Sequence, residues 1–470
     1  MRPCVPTRPA VHATGGRKRG GAMHAIRTAA LGLALLATLL AGGPAAAQRL
    51  IRDAETERAL DMMSRPIFEA AGIPPDRVEI FILDDDRLNA FVANDSTMVL
   101  NTGLMRRFDA PAPLAGVIAH EAGHIAGGHI AQRAMAIRDL SSPARIGLIL
   151  AAAAAAAAGG APEAGAAIAL GGGSALQRSL LSYTRAQEAA ADQAAVQFMD
   201  RAGKDPSGLL DVLSLFKGQE VFRRSRLDPY ALTHPLSSER LSLLERRIAE
   251  SPARGRPPEP ALAYAHARMQ AKLDGFLDPP ERTLARLRTE ADPESEPNLY
   301  RRAIAEHRMA DTDAAVATMD RLLALRPDDP FYWEARGQFL LEAARPDEAV
   351  ESYRRAARLA PGEPLIRAAL GRALLASRAP GSDAEAVAEL ERAIRDDPNE
   401  PMALRALATA YARAGDTGMA ALVSAERVAL TGEIAEAGAL ARRAMGLLPE
   451  GSPAWLRADD ILALAERGRE

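Results

Sequence analysis

The stretch AHEAGHIAGGHI, residues 119–130, holds three of the chain's eight histidines. Its core is the pattern H-E-x-x-H, with His120 and His124 four residues apart. Residues at this spacing share one helix face, so both imidazoles can reach one metal ion. Glu121 then sits beside the ion, where it can take a proton from a water at the metal. The apolar neighbours predict a buried helix, in which a glutamate between two histidines is costly without a cation.

A catalytic metal needs a third protein ligand, and two segments offer one. His129 is nearest, but it lies nine residues after His120, about half a turn off the metal-binding face of a continuous helix. We therefore predict a structural or rim role for His129. Glu188 and Asp192 lie four apart on one face of the predicted helix in SYTRAQEAAADQAA (182–195). We expect Glu188 to bind the metal and Asp192 to accept a hydrogen bond from one ligand histidine. Without the predicted helix that carries H-E-x-x-H, we would interpret Glu188 and Asp192 as ordinary surface acids.

The composition favours a mainly α fold and restricts the partners. The 470 residues include 58 Lys and Arg and 61 Asp and Glu, and 4% of the residues are aromatic. The near balance of charge, without a basic run in the body of the chain, argues against nucleic acid as a partner. Few aromatics and many alanines favour helices. The single cysteine, Cys4, lies in a segment that we expect to be removed, which leaves histidines and carboxylates as ligands.

Residues 1–47 have the features of a signal peptide. Positive charges precede the apolar run TAALGLALLATLLAG (28–42), and PAAAQ (44–48) offers a cleavage signal before Gln48. A start at Met23 gives a leader of more usual length. An uncleaved membrane anchor is the alternative, but the small residues favour cleavage. We therefore expect export to a bacterial periplasm.

Short apolar segments at 78–83, 89–93 and 97–101 predict three strands ahead of the metal-binding helix. A helical pattern at 50–72 precedes them, and the metal-binding helix is predicted to run from the prolines of APAPLAG through QRAMA. The longest apolar run within the low-complexity stretch 147–176 is too short to span a bilayer as one helix. We favour a buried or interfacial helical hairpin there over a lid or a segment that makes peripheral contact with a membrane.

Beyond the Pro-rich stretch SPARGRPPEP (251–260), the chain repeats itself. Residues 333–361 have the large and small side chains of a tetratricopeptide repeat in order: Trp333, Gly337, Leu340, Ala349, Tyr353, Ala356 and Pro361. Similar sets recur around Pro327, Gly371 and Tyr411. Several units in phase predict a helical solenoid, with an ordinary helical bundle as the alternative.

These motifs resemble a known group. NAFVAND with VLNTGL, HEAGH, SYTRAQEAAAD, THPLSSER and the repeats are similar to the zinc endopeptidase family of the HtpX heat-shock peptidases and CAAX prenyl endopeptidases. Within it, the chain looks most like the periplasmic β-barrel assembly-enhancing proteases, which join such a domain to tetratricopeptide repeats. The resemblance covers nearly the whole mature chain. It implies a mainly α fold: a zincin-like α+β domain with a small β-sheet, then an α-helical solenoid. One departure is Ala93-Asn94-Asp95, where relatives usually have Pro-Gly-Gly.

The resemblance implies the same roles that the spacing predicts. It places one Zn²⁺ on His120, His124 and Glu188, makes Glu121 the catalytic base, and puts Asp192 behind a ligand. The expected reaction is metal-assisted hydrolysis of a peptide bond.

The segment THPLSSERL (233–241) adds two candidates, because it approaches the active site in that family. His234 is a catalytic candidate that either stabilises the oxyanion or occupies the open zinc position and holds the enzyme idle. A third interpretation is a purely structural role at a helix start beside Thr233 and Pro235. Arg240 is expected to pair with an acid near the site.

The predicted organisation is a signal peptide (1–47), a zinc metalloprotease domain (48–250), a linker (251–260) and a tetratricopeptide-repeat domain (261–470). The predicted function is cleavage of misfolded or stalled envelope and outer-membrane proteins. The repeats would recruit unfolded substrates or the outer-membrane assembly machinery, and LNAFVA (88–93) offers an edge strand for an extended peptide. The alternative is a repeat-based chaperone or adaptor with a latent protease domain. The presence of every expected catalytic residue argues against a dead enzyme.

Overall fold

A computed structural model describes most of the chain, namely residues 49–132, 185–217, 234, 236–377 and 379–468. The predicted signal peptide and the low-complexity stretch 147–176 lie outside the described residues, so both remain predictions. None of the helices in the described ranges has the length and apolar character needed to cross a bilayer.

The first part of the chain forms a small sheet and the helices that pack on it. In chain order the elements are β1 (Leu50–Ile51), α1 (Ala54–Ala70), β2 (Glu79–Leu83), β3 (Ala90–Asn94), β4 (Thr97–Asn101), α2 (Thr102–Met105), α3 (Pro111–Ala126), α4 (Arg185–Arg201), α5 (Ser207–Ser214) and α6 (Ser238–Ala249). The three predicted strands are confirmed to within one residue. The two-residue strand β1 is an addition that the sequence did not predict.

The sheet has the order β1-β2-β4-β3, so β3 lies at an edge, as the sequence predicts. β2 and β4 run parallel, and β3 runs antiparallel to β4. Alternate side chains point to opposite faces: Ile82 and Met98 pack into the core with α1 and α3, whereas Phe81 and Val99 line a cavity on the other face. The Asn94 side-chain oxygen accepts a hydrogen bond from the Ser96 backbone N–H at 2.8 Å, which closes the turn before β4 without a Pro-Gly-Gly segment.

Helix α3 ends earlier than predicted. It begins at Pro111, where the missing N–H costs nothing, and its side chains are buried from Pro113 to His124. It stops at Ala126 because Gly128 adopts a left-handed backbone with φ of 62°. The prediction of one helix through QRAMA is therefore wrong at this point.

The second part of the chain consists of helices in its described residues. They are α7 (Pro260–Leu277), α8 (Pro280–Leu287), α9 (Glu296–Arg308), α10 (Thr312–Leu325), α11 (Pro330–Glu342), α12 (Pro346–Leu359), α13 (Pro364–Ala376), α14 (Ser382–Asp396), α15 (Pro401–Arg413), α16 (Thr417–Leu430), α17 (Ile434–Met445) and α18 (Pro453–Arg467). Each helix from α11 to α17 packs on the next. The mainly α fold class, with a small sheet followed by a repeat solenoid, is confirmed.

Helix α7 joins the two parts of the molecule. Met269 and Leu273 pack into the core formed with α1 and α3, whereas Ala271 packs with residues of α9 to α11. A cavity of about 1300 Å³ lies beside this helix. Residues 49–54, one face of the sheet and the helices α11, α13 and α15 contribute to its walls.

Charged side chains that are buried or partly buried connect α1, α7 and α11, and we call them the junction cluster. Its members are Asp53, Glu55, Arg268, Lys272, Asp329 and Glu334. Arg268 pairs with Glu55 at 2.6 Å and also with Asp329. Lys272 lies 2.5 Å from Asp53 and 3.3 Å from Glu334. Each carboxylate of the cluster therefore faces a fixed cation.

Candidate active site

The H-E-x-x-H residues lie on the buried face of α3, where α4 packs against it. His120 and His124 are both fully buried, and their Nε2 atoms are 3.1 Å apart. A Cβ atom on Gly123 would lie 2.9 Å from the backbone oxygen of Ala191 in α4. The glycine therefore permits the close approach of the two helices that brings the acids of α4 to the histidines of α3.

Helix α4 supplies the two acids that the sequence singles out. Glu188 is fully buried, and its Oε1 lies 3.3 Å from Nε2 of His124. One helical turn further on, Oδ1 of Asp192 lies 2.9 Å from Nδ1 of His120, on the side of that ring away from Glu188. The structure thus places Glu188 among the histidine nitrogens and Asp192 behind one of them.

Arg240, in the first turn of α6, pairs with both acids. Its Nε and Nη2 lie 2.5 and 2.8 Å from the two oxygens of Asp192. Its Nη1 lies 2.7 Å from Oε2 of Glu188. This fork holds both carboxylates in place and leaves Oε1 of Glu188 facing the histidines.

His234 occupies a fourth position around the same point. Its Nδ1 lies 3.3 Å from Nε2 of His120 and 3.1 Å from Oε1 of Glu188. Its Nε2 lies 3.4 Å from Oε1 of Glu121. The side chain is fully buried, so it is part of the site and does not cap a helix at the surface.

The donor atoms have the spacing that a tetrahedral metal requires. Ligand atoms about 2.0–2.1 Å from a zinc ion, at tetrahedral angles, lie roughly 3.3–3.4 Å apart. Four of the six distances among the donor atoms of His120, His124, Glu188 and His234 are 3.1–3.3 Å. One donor atom from each of the four residues lies within 4.8 Å of the others. The nitrogen and oxygen donors therefore fit Zn²⁺ in both chemistry and spacing.

The two helix histidines differ in electrostatics. Burial lowers the pKa of His124 to about 3, so its ring is neutral, as a metal ligand must be. Burial also opposes the charged form of His120, but Asp192 and Glu188 outweigh it and raise its pKa to about 9. Because a ligand nitrogen must lose its proton, a bound cation would take the place of the proton on His120.

The acids of α4 are ionised at neutral pH. Burial by itself raises the pKa of Glu188, but His234 and Arg240 hold it well below its usual range. Burial likewise opposes ionisation of Asp192, and Arg240 lowers its pKa below the ordinary value. Glu188 therefore offers an ionised carboxylate to a cation, and Asp192 offers one to the ring of His120.

Glu121 differs from these acids. It is fully buried, and neither of its oxygens is hydrogen-bonded to another side chain among the described residues. Burial raises its pKa, although His234 and His120 act in the opposite direction. A carboxylate that is made more basic, beside but outside the donor set, suits a group that accepts a proton from water.

The sequence did not reveal one contact at the site. Nδ1 of His129 lies 2.9 Å from Nδ1 of His124, although His129 is not among the converging donors. A turn at Gly127 and Gly128 separates α3 from the helical residues 129–132, so the estimate from a continuous helix does not apply. The adjacent glycines were the available signal that the helix ends before His129.

Comparison with known proteins agrees with this geometry. Residues 54–248 match peptidase family M48, and residues 296–467 match a tetratricopeptide repeat. The chain is 25% identical over 400 residues to the beta-barrel assembly-enhancing protease of Yersinia pestis, across 83% of this chain and 80% of that protein. It is 25% identical over 290 residues to a putative beta-barrel assembly-enhancing protease of Vibrio cholerae, across 61% and 59%.

The beta-barrel assembly-enhancing protease of Escherichia coli strain K12 is 30% identical over 162 residues, which are 34% of this chain and 32% of that protein. The matches to the Vibrio and Escherichia proteins thus span less than two thirds of those proteins. Both family matches are consistent with the fold described above, and the first encloses every residue of the donor set. The chain therefore contains a metalloprotease domain of peptidase family M48 followed by tetratricopeptide repeats.

Proposed function

We propose that the chain is an exported zinc endopeptidase that cleaves misfolded or stalled envelope and outer-membrane proteins. The observation that carries this proposal is the convergence of His120, His124 and Glu188, with Glu121 beside them. These residues are fully buried, and they have the donor types and spacing of a zinc site.

His120, His124 and Glu188 would hold the ion. Bound zinc supplies Lewis-acid polarisation of the scissile carbonyl and makes water more acidic. Glu121 accepts a proton from the attacking water and passes it to the leaving amine. Asp192 and Arg240 keep His120 and Glu188 in their orientations, since they contact these residues from outside the donor set.

His234 holds the site closed at rest. A catalytic zinc site keeps one position open for water or substrate, but the Nδ1 atom of His234 stands among the donors as a fourth ligand. Its release would open that position. This role is favoured over an oxyanion donor because Nδ1 of His234 lies 3.3 Å from Nε2 of His120 and 3.1 Å from Oε1 of Glu188. These are the separations expected between two ligands of one ion.

The edge strand β3 is the proposed place for the substrate backbone. β3 pairs with β4 on one side only within the described residues, and α3 packs beside it. An extended peptide can add to such an edge through main-chain hydrogen bonds, with little demand on its sequence. This mode suits an enzyme that degrades unfolded chains.

The repeats would select the substrate. The cavity of about 1300 Å³ between the repeats and the sheet is large enough for a segment of polypeptide. We infer that the partners are outer-membrane proteins and their assembly machinery. The similarity to relatives named as beta-barrel assembly-enhancing proteases supports this inference.

A second candidate function is a chaperone or adaptor with a latent protease domain. The four-donor arrangement that includes His234 favours it, because this arrangement has no open position. The full-length variant Glu121→Gln separates the two functions. If the chain is an adaptor, the variant slows the aggregation of an unfolded β-barrel protein as well as the wild type does. If the chain acts as a protease, the variant loses cleavage.

Export rests on the sequence of residues 1–47. We propose cleavage before Gln48, after the small residues of PAAAQ (44–48). Mass spectrometry of the mature N-terminus tests this proposal. A mature chain that retains Met23 would show that the segment is an anchor.

The decisive experiment compares the wild type with Glu121→Gln in zinc content and casein cleavage. We expect equal zinc in both proteins and a roughly 10²–10⁴-fold slower cleavage by the variant, as for loss of a general base. Equal rates at equal zinc content would remove Glu121 from the mechanism.

A further inference from the structure

His129 lies close to His124 because two glycines end α3. Gly128 has φ of 62° and turns the chain, and the backbone N–H of Gln132 donates to Gly128 at 3.1 Å in the turn that follows. In a continuous helix, the side chain of residue 129 would point roughly 140° away from that of His124. The turn instead brings the two Nδ1 atoms to 2.9 Å.

Gly127 provides the space for this contact. A Cβ atom at position 127 would lie 2.6 Å from Nε2 of His129 and 2.9 Å from its Cε1. The imidazole of His129 therefore lies directly over the Gly127 backbone. Gly127 itself has φ of −76°, which any residue can adopt, so its role is to leave room for the ring.

The contact joins two ring nitrogens, and one of them must carry the hydrogen. Nε2 of His124 faces Nε2 of His120 and Oε1 of Glu188. If this Nε2 is to bind a metal, it must present a lone pair, so the proton of the neutral ring lies on Nδ1. His124 is then the donor and Nδ1 of His129 the acceptor.

The two helix histidines thus have different partners. Nδ1 of His120 faces the carboxylate of Asp192, which Arg240 holds from the other side. Nδ1 of His124 faces a second imidazole. Groups in these positions fix the tautomer and the ring orientation of a ligand histidine.

We propose that His129 is a positioning residue, which accepts a hydrogen bond from His124 and holds Nε2 of His124 toward the metal. This inference rests on the proposed zinc-dependent function. Since loss of such a partner typically weakens metal binding by about 10–100-fold, the predicted effect is on zinc affinity and not on the presence of zinc at saturation.

The test is competition for zinc between a chromogenic chelator and the full-length protein. We expect His129→Leu to bind zinc about 10–100-fold more weakly than the wild type. His129→Asn should recover most of the affinity, because its side-chain oxygen can accept in place of Nδ1. His307→Leu, a histidine change in the repeats, is the matched control and should have no effect.

Gly127→Ala provides an independent variant if His129→Leu does not fold. Its backbone conformation suits alanine, and the added methyl group displaces the ring of His129, so zinc should again bind more weakly. Folded His129→Leu with wild-type zinc affinity would overturn the positioning role alone. A wild type that binds no zinc would overturn the proposed function, and this inference with it.

Discussion

The active site and the junction cluster are both groups of charged side chains away from the surface, but their charges are balanced in different ways. At the junction, Arg268 and Lys272 lie between the carboxylates and pair with them directly. At the active site, Arg240 contacts Asp192 and the outer oxygen of Glu188, and the inner oxygen faces imidazoles. In the junction cluster, each carboxylate pairs with an arginine or a lysine of the cluster. In the active site, donor atoms remain directed at a common point.

This difference shows how burial of charge relates to function. Buried carboxylates are tolerated when they are paired or when they coordinate a metal. The junction residues use the first solution and hold the repeats against the protease domain. The active-site residues fit the second solution. A count of buried charges alone would not separate the two clusters, but the direction of the donor atoms does.

The largest expected difference is between two single variants, each of which removes one acid from one of the clusters. Glu188→Ala should lose its zinc and cleave casein only at background rate, because an inner ligand is gone. Glu334→Ala at the junction should keep about one zinc per chain. Elemental analysis after dialysis, with casein cleavage, compares them. Zinc retained by folded Glu188→Ala would contradict its assignment as a ligand.

The second effect concerns the junction. Arg268→Met removes the cation that pairs with Asp329 and the nearer of the two cations beside Glu55, whose other cation, Lys272, lies 3.5 Å away. We expect the free energy of unfolding to fall by about 3–5 kcal/mol. Arg326→Met removes a half-exposed arginine from its pair with Glu296 and should cost about 0–1 kcal/mol. Urea unfolding of the zinc-loaded proteins measures both. An equal, small loss in the two variants would show that the cluster does not support the fold.

A third prediction concerns His234, which we propose to occupy the fourth position around the metal. His234→Ala should raise casein cleavage per bound zinc, including self-cleavage, because the fourth position is freed. A fall of something like 10²-fold at full zinc occupancy would instead indicate an oxyanion donor. His266→Ala, which changes a buried histidine of α7 outside the site, serves as the control.

The smallest effect is a pH dependence at the junction. Burial raises the pKa of Glu334 to about 7, from an ordinary 4.5, despite the attraction of Lys272. Between these values the folded state binds more protons than the unfolded state, so this residue adds stability as the pH falls below 7. The slope is at most about 1.4 kcal/mol per pH unit.

Glu334→Gln should remove that slope, because it no longer titrates. The measurement is the difference in unfolding midpoint between the variant and the wild type at about pH 5.5, 6.5 and 7.5. Contributions from the other titrating groups are the same in both proteins and cancel in this difference. A difference that stays constant across this range would show that Glu334 does not titrate as described.

Local sequence patterns predicted much of the fold. Short apolar segments predicted β2, β3 and β4. The spacing of His120 with His124 and of Glu188 with Asp192 predicted that each pair lies on one helix face. Helix α1 begins at Ala54 instead of near residue 50, because the Asp53 side chain accepts a hydrogen bond from the Thr56 backbone N–H at 2.8 Å. This cap is a local signal.

The parts that the sequence did not reveal depend on contacts between distant residues. Arg268 and Lys272 have the pattern of an exposed helix face, and they are buried only because α1 and the repeats pack around α7. The strand β1 exists through its pairing with β2. His234 lies 46 residues from Glu188, and only the resemblance to a family suggested it for the site.

Counting the zinc in folded, full-length protein tests the central claim most directly. Elemental analysis of the wild type, purified without chelators, should give one zinc per chain. The same measurement on a variant with both His120→Ala and His124→Ala should give none, with the junction intact and the protein still folded. A folded wild type without zinc, or a double variant that keeps it, would contradict the assignment of the metal to the α3–α4 site.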